Sequence, residues 1–238
     1  MDNELTFIED DRAQNRTVKA KMFLQAFLSL PKTLWFNFRY FPLRTAVKLP
    51  VLIAYNLKII EMHPGTVRFD SDISRFMIKL GFGGSDSIAE HIGSICIEKG
   101  EVIFGGKASM SKGVNIRCSG KLKIGSNFYA NKNCTIWCSD NIEIGNDVLL
   151  GWNITFRDSD GHMVVADNLP RPISGHIKVG NHTWICSECH LLKNSGLGND
   201  CVLGYGSLLT KTFEDNNVLI VGCPATVVRK NTNWIRGK

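Results

Sequence analysis

The chain has 238 residues, of which 44% are hydrophobic and 21% charged; that suits one large domain or two small ones and excludes wholesale disorder. The net charge is +6. Uncharged runs near the N-terminus are too short for a bilayer span, which needs about 18–20 residues.

The chain opens on Asp2, Glu4, Glu9, Asp10 and Asp11. A secretory leader starts with basic residues and an apolar run, so this opening does not read as one. The eight cysteines then read as reduced thiols in a cytoplasmic protein. Residues 12–60 reverse the charge, carrying bases (Arg12, Lys32, Arg39, Arg44 and Lys48 among them) and no acid. Phe, Leu and Trp are interleaved with those bases, and Pro31, Pro42 and Pro50 divide the segment into short helices. Two roles fit residues 18–60. They can cap the open end of a solenoid, or lie on the anionic inner face of a membrane as a peripheral contact. The first expected unit is therefore residues 1–62, a basic amphipathic helical cap.

A repeat follows. Val102-Ile103-Phe104-Gly105, Leu122-Lys123-Ile124-Gly125 and Ile142-Glu143-Ile144-Gly145 are near copies spaced twenty residues apart, and Ile177-Lys178-Val179-Gly180 is a fourth. Between them an aliphatic residue recurs at every sixth position. That period fits neither a helix nor plain strand alternation, but suits a short strand plus a turn. Three hexads close one triangular coil, and coils stack at the strand spacing of about 4.8 Å. The expected buried columns are Phe104/Ile124/Ile144/Val179/Leu197, Met110/Ala130/Leu150/Ile185/Leu203 and Ile116/Ile136/Phe156/Leu191/Leu209. The repeat is assigned to residues 63–213 and a C-terminal tail to 214–238.

The period breaks once, between Phe156 and Val179, where about fifteen extra residues must leave the coil as a loop, residues 157–176. The loop begins Arg157-Asp158-Ser159-Asp160-Gly161-His162. A carboxylate bound to one imidazole nitrogen fixes the tautomer and raises the basicity of the other. His162 is thus a candidate general base, with Asp160 or Asp158 orienting it.

These features resemble the hexapeptide-repeat acyltransferases, which implies an all-β fold: a left-handed parallel β-helix with a helical N-terminal segment. Gly151-Trp152-Asn153-Ile154-Thr155, the loop histidine and the stretch Ile177 to Ile185 look like galactoside and maltose O-acetyltransferases. The Asp-Ser-Asp-Gly-His form looks more like the O-acetyltransferases of lipopolysaccharide and capsule assembly. The resemblance implies acetyl-CoA as co-substrate, no metal, and a homotrimer with active sites between subunits. It also implies direct transfer to a sugar or lipid-linked sugar hydroxyl. Asn153, with Trp152 and Arg157, would position the acceptor. Trp184, Ser187, Tyr205, Thr210, Lys211 and Arg229 would contact the coenzyme, and Ser187 or nearby amides would support the oxyanion. Cys186 and Tyr205 depart from the family's small residues, so a non-catalytic scaffold stays open beside an N-acyltransferase acting on an amino sugar or amino acid.

Other signals are weaker. Cys186-x-x-Cys189-His190 has the spacing of a metal site, but in the hexad register Cys186 points outward and Cys189 inward. His176, His182 and His190 lack the spacing of a three-histidine zinc site. Nothing resembles a nucleic-acid module.

Overall fold

A computed structural model describes residues 23–84 and 88–236. The acidic opening and residues 18–22 of the basic segment lie outside the described residues. The chain winds as a parallel β-helix of three sheets. All three expected columns are in register, coil to coil. Phe104 pairs with Ile124, Ile124 with Ile144, Ile144 with Val179, and Val179 with Leu197. Met110 to Leu203 align likewise on the first sheet, and Ile116 to Leu209 on the second. Every one of these side chains is buried. Each stacks on its equivalent one coil away, so a single column of apolar contacts runs the length of each face.

The corners need the left-handed backbone region, and Asn and Asp tolerate it best among non-glycine residues. Asn127, Asp147, His182, Asp200 and Asn217 all have positive φ at one such corner. Beside it runs an amide ladder in which each Asn side chain accepts from the backbone of the previous coil. Asn146 Oδ1 accepts from the Ser126 N–H, Asn181 from Asn146, Asn199 from Asn181, and Asn216 from Asn199.

The coils extend beyond the expected limits. Val51–Ile53 pairs in parallel with Ile78–Leu80, and Lys58–Glu61 pairs with Ser94–Ile97. The β-helix therefore begins inside the segment 1–62 assigned to the cap. These first coils carry irregular turns and a register shift between Ile59 and Glu61, which erases the six-residue period. At the other end, Val218–Gly222 adds a further parallel strand to the first sheet, and Ala225–Lys230 closes it antiparallel. The tail 214–238 is thus partly solenoid.

The cap itself is the helix Leu30–Tyr40, with Pro at its first turn, followed by the short helix Leu43–Ala46. Thr33, Phe36, Asn37 and Tyr40 face inward, at the i, i+3, i+4, i+7 spacing of one helix side. Phe36 and Tyr40 cover the apolar end of the solenoid, and Phe41 continues the stack to Phe69 and Phe104. The first strand would otherwise present unpaired backbone groups. Asn37 supplies both missing partners for Val51, accepting from its N–H at 3.2 Å and donating to its carbonyl at 2.7 Å. The Thr33 hydroxyl does the same for Ile53. Capping is one face only. The opposite face leaves Leu34, Trp35, Phe38, Leu43 and Val47 exposed. Among the described residues no helix is long and apolar enough to cross a membrane.

Candidate active site

The strand Thr155–Arg157 belongs to the second sheet, stacked between Thr135–Cys138 and His190–Leu192. Asn153 sits at the corner before it and His162 in the arm after it, so the outward face of this sheet lies between them. Because side chains alternate along a strand, Thr155 and Arg157 point outward while Phe156 fills the core.

The arm leaves at Asp158 and returns at Gly175, whose N–H bonds the Asp158 carbonyl. It is a small hairpin of its own: Val165–Ala166 pairs antiparallel with Leu169–Pro170, and a bridge joins Ser159 to Ser174. His162 is exposed near its start and makes no hydrogen bond or ion pair with the described residues.

The two carboxylates before it have separate tasks. Asp158 is fully buried. Its two oxygens accept from the Ser139 N–H at 2.7 Å and the Asp140 N–H at 2.8 Å. It therefore clamps the root of the arm to the previous coil, which corrects the expectation that it could serve as the partner of His162. Asp160 is half-exposed and pairs with Lys193 at 2.5 Å; Lys193 also donates to the Pro172 carbonyl at 2.5 Å. Lys193 thereby ties both ends of the arm to the next coil. Neither carboxylate touches His162 in this conformation.

At the opposite corner, Asn153 donates to Glu188 at 2.6 Å and keeps its carbonyl oxygen free of described partners. The Trp152 N–H donates to Ser187 Oγ at 3.1 Å, and the Ser187 carbonyl accepts from the Gly206 N–H. Ser187 is buried, whereas Tyr205 in the next coil is exposed. Burial pushes the Cys186 thiol up to about 11. It is therefore protonated at neutral pH and a poor nucleophile. Burial raises Cys189 to about 11 as well. The inward position of Cys189 matches the hexad register.

The remaining coenzyme candidates divide between the first sheet and the corner after the second. Trp184 lies on the first sheet, 6.1 Å from Trp234 of the returning tail. Trp234 also stacks on His182 at 4.7 Å and donates to its carbonyl. Thr210 and Lys211 occupy the corner two coils beyond the arm, with the Lys211 ammonium 5.2 Å from the Phe213 ring. Arg229 is exposed on the closing hairpin, paired with Leu219. Trp184 and Arg229 thus share the first sheet, in one register line through Val202 and Leu219, while Thr210 and Lys211 stand at the corner.

Sequence reasoning missed Trp137. Its outward side chain is 36% exposed, in register with Arg157 one coil on and Arg117 one coil back. The signal was present in the sequence, because Arg117, Trp137 and Arg157 stand at the twenty-residue spacing, each directly after a residue of the Ile116/Ile136/Phe156 column. Nearby, the ligand-capable atoms of Glu61, Cys96 and Glu98 lie within 4.8 Å of one another. Burial and Glu98 push the Cys96 thiol up, and Glu98 is paired with Arg117.

A three-sided parallel coil is the architecture of the hexapeptide-repeat acetyltransferases, the left-handed parallel β-helix, and this chain resembles them in fold and in sequence. Among solved structures, the polysialic-acid-specific acetyltransferase superposes over 76% of this chain and 86% of its own, with TM-score 0.50 and 22% identity. Among curated proteins, the galactoside O-acetyltransferase of Escherichia coli K12 is 35% identical over 127 residues, 46% of this chain and 54% of its own. An uncharacterized 24.8 kDa protein in the cps region of Klebsiella pneumoniae is 26% identical over 144 residues, 59% of this chain and 64% of its own. The chain thus spans between half and two thirds of the length of these curated relatives. No protein-family profile matches it.

Proposed function

We propose that the chain is an acetyl-CoA-dependent O-acetyltransferase acting on a sugar hydroxyl, in surface-polysaccharide assembly. The observation that carries this reading is His162, exposed on the arm that leaves the coil between Asp158 and Gly175, in a chain 35% identical to a galactoside O-acetyltransferase over 127 residues. The imidazole takes the hydroxyl proton as the acceptor oxygen attacks the thioester carbonyl. The C–S bond breaks, and the imidazolium returns the proton to the departing thiolate. Asp160 is the carboxylate left to orient the imidazole, once it exchanges Lys193 for His162; Asp158 holds the arm. The Asn153 carbonyl is available to align the acceptor.

The arm exposes Met163, Val164, Val165 and Leu169. An apolar hairpin of this kind needs a neighbouring surface, which supports a cyclic homotrimer with the site shared between subunits. The exposed cap face, with Arg39, Arg44 and Lys48 beside Trp35 and Phe38, has the chemistry of a peripheral contact with an anionic bilayer. That placement suits a lipid-linked acceptor. Flotation with vesicles containing phosphatidylglycerol should recover the wild type and lose the triple Arg39/Arg44/Lys48→Gln variant. Recovery of both, or of neither, contradicts the contact.

The deciding experiment is CoA release from acetyl-CoA with a panel of galactosides, glucosides, amino sugars and a membrane lipid-sugar extract, for wild type and H162A. Acceptor-dependent release that falls by about 10²- to 10⁴-fold in H162A supports the mechanism. Release untouched by the substitution moves the base elsewhere. Failure to bind acetyl-CoA at all favours a scaffold.

A further inference from the structure

Arg117, Trp137 and Arg157 form one ladder across three coils of the second sheet. The guanidinium carbons lie 5.4 Å and 4.7 Å from the Trp137 ring centroid, so the indole is held between two cations. The two arginines are not equivalent. Arg117 is neutralised by Glu98 at 2.5 Å. Arg157 donates its Nε to the Ser159 carbonyl at 2.9 Å, and no described carboxylate pairs with it. Its outer nitrogen lies where a Cβ on Gly161 would come within 3.3 Å, directly before His162 in the chain. The site thus presents an outward, half-exposed indole, an unpaired guanidinium fork beside it, and the arm of the proposed base at its edge.

We infer that this ladder is the acceptor subsite and that it takes a sugar bearing a carboxylate, with the sugar ring on Trp137 and the carboxylate on Arg157. The inference rests on the transferase reading above and deepens it. With its two faces against guanidiniums, the indole offers its outward apolar edge to the C–H face of a pyranose ring, and a carboxylate accepts two parallel bonds from a guanidinium. The Ser159 carbonyl fixes the plane of the Arg157 fork by binding Nε. Its two Nη atoms make no hydrogen bond to the described residues, and little side-chain entropy is lost on binding. A neutral sugar would use the ring alone.

The test measures binding directly, by titration calorimetry of the full-length protein with a galacturonic acid trimer and with a neutral galactose trimer. The wild type should bind the acidic trimer at least tenfold more tightly, and added NaCl should erode the difference. R157Q should abolish the preference while retaining the neutral trimer's affinity. W137A should weaken both, and W137F, which keeps a ring, should restore most of the loss. Acetyl-CoA affinity and melting temperature, measured on the same variants, should hold. Equal binding of the two trimers by the wild type overturns the proposal. So does an R157Q protein that keeps the preference, or one that loses acetyl-CoA instead, which would make this a coenzyme phosphate site. A W137A chain whose oligomeric state collapses overturns it too, by making the ladder an interface. Acid-selective binding without acetyl transfer to any acceptor keeps the subsite and removes the transferase reading, so the two failures are separable.

Discussion

At the scale of single residues, the Asp-Ser-Asp-Gly-His run holds two carboxylates of the same type with different surroundings. Asp158 has both oxygens on backbone amides in a site without solvent. Replacing it with Asn turns an amide N–H toward an amide N–H and leaves a buried donor unpaired, which costs about 1–3 kcal/mol. D158N should therefore melt measurably lower than wild type in thermal denaturation. Asp160 is itself part-exposed and pairs only with Lys193, and ion pairs open to solvent contribute at most about 1 kcal/mol. D160N should melt close to wild type and show its effect in the rate of CoA release. The spacing of these residues before the histidine was readable in the sequence. Which carboxylate was buried was not, because that depends on the Ser139–Asp140 turn of the previous coil.

At the scale of elements, the solenoid depends on how closely its corners stack and on how its first edge is covered. A Cβ on Gly151 would meet the Ser187 backbone nitrogen and hydroxyl at 2.5 Å, well inside contact distance. G151A should force two coils apart at the corner that carries Trp152 and Asn153, lowering both the melting temperature and the affinity for acceptor. Asn37 is the counterpart at the N-terminal edge. N37L keeps the branched shape and removes three hydrogen bonds, leaving the Val51 N–H and carbonyl buried without partners. The expected loss is about 2 kcal/mol or more, seen as a lower denaturation midpoint. The six-residue columns were legible because each hexad repeats one aliphatic residue in one structural place. The first coils were not, because their turns differ in length and their register shifts. The helix that covers them was legible only as amphipathic; which face turned inward was decided by the backbone groups of Val51 and Ile53 waiting for partners.

At the scale of the whole molecule, the core carries a set of thiols beside its aliphatic columns. Burial pushes Cys134 up to about 12 and Cys189 to about 11, against an ordinary value near 9. The native state keeps these protons where the unfolded chain has lost them. Stability is therefore intact below about pH 9 and declines as pH rises from there toward 12. Melting curves between pH 7 and 11 should be flat at first and then fall, and C134V should reduce the alkaline slope. The assembly is tested by light scattering: a mass of three chains is expected, and a monomer would leave the apolar arm without its neighbour. R157Q and W137F should remain trimers, since neither touches the arm's apolar residues.

The sequence alone determined the regular coils, their three columns and the position of the inserted arm, because a solenoid's contacts lie between equivalent positions of a repeat and so are written as a period. It also marked His162, since an insertion in a periodic chain has to leave the core. Tertiary structure decided what the period cannot encode. Stacking of coils sent Asp158 inward as a clamp, and the fold of the tail set Trp234 over His182. These pairings join residues from different coils, or from outside the repeat, and their partners exist only once the strands are in register.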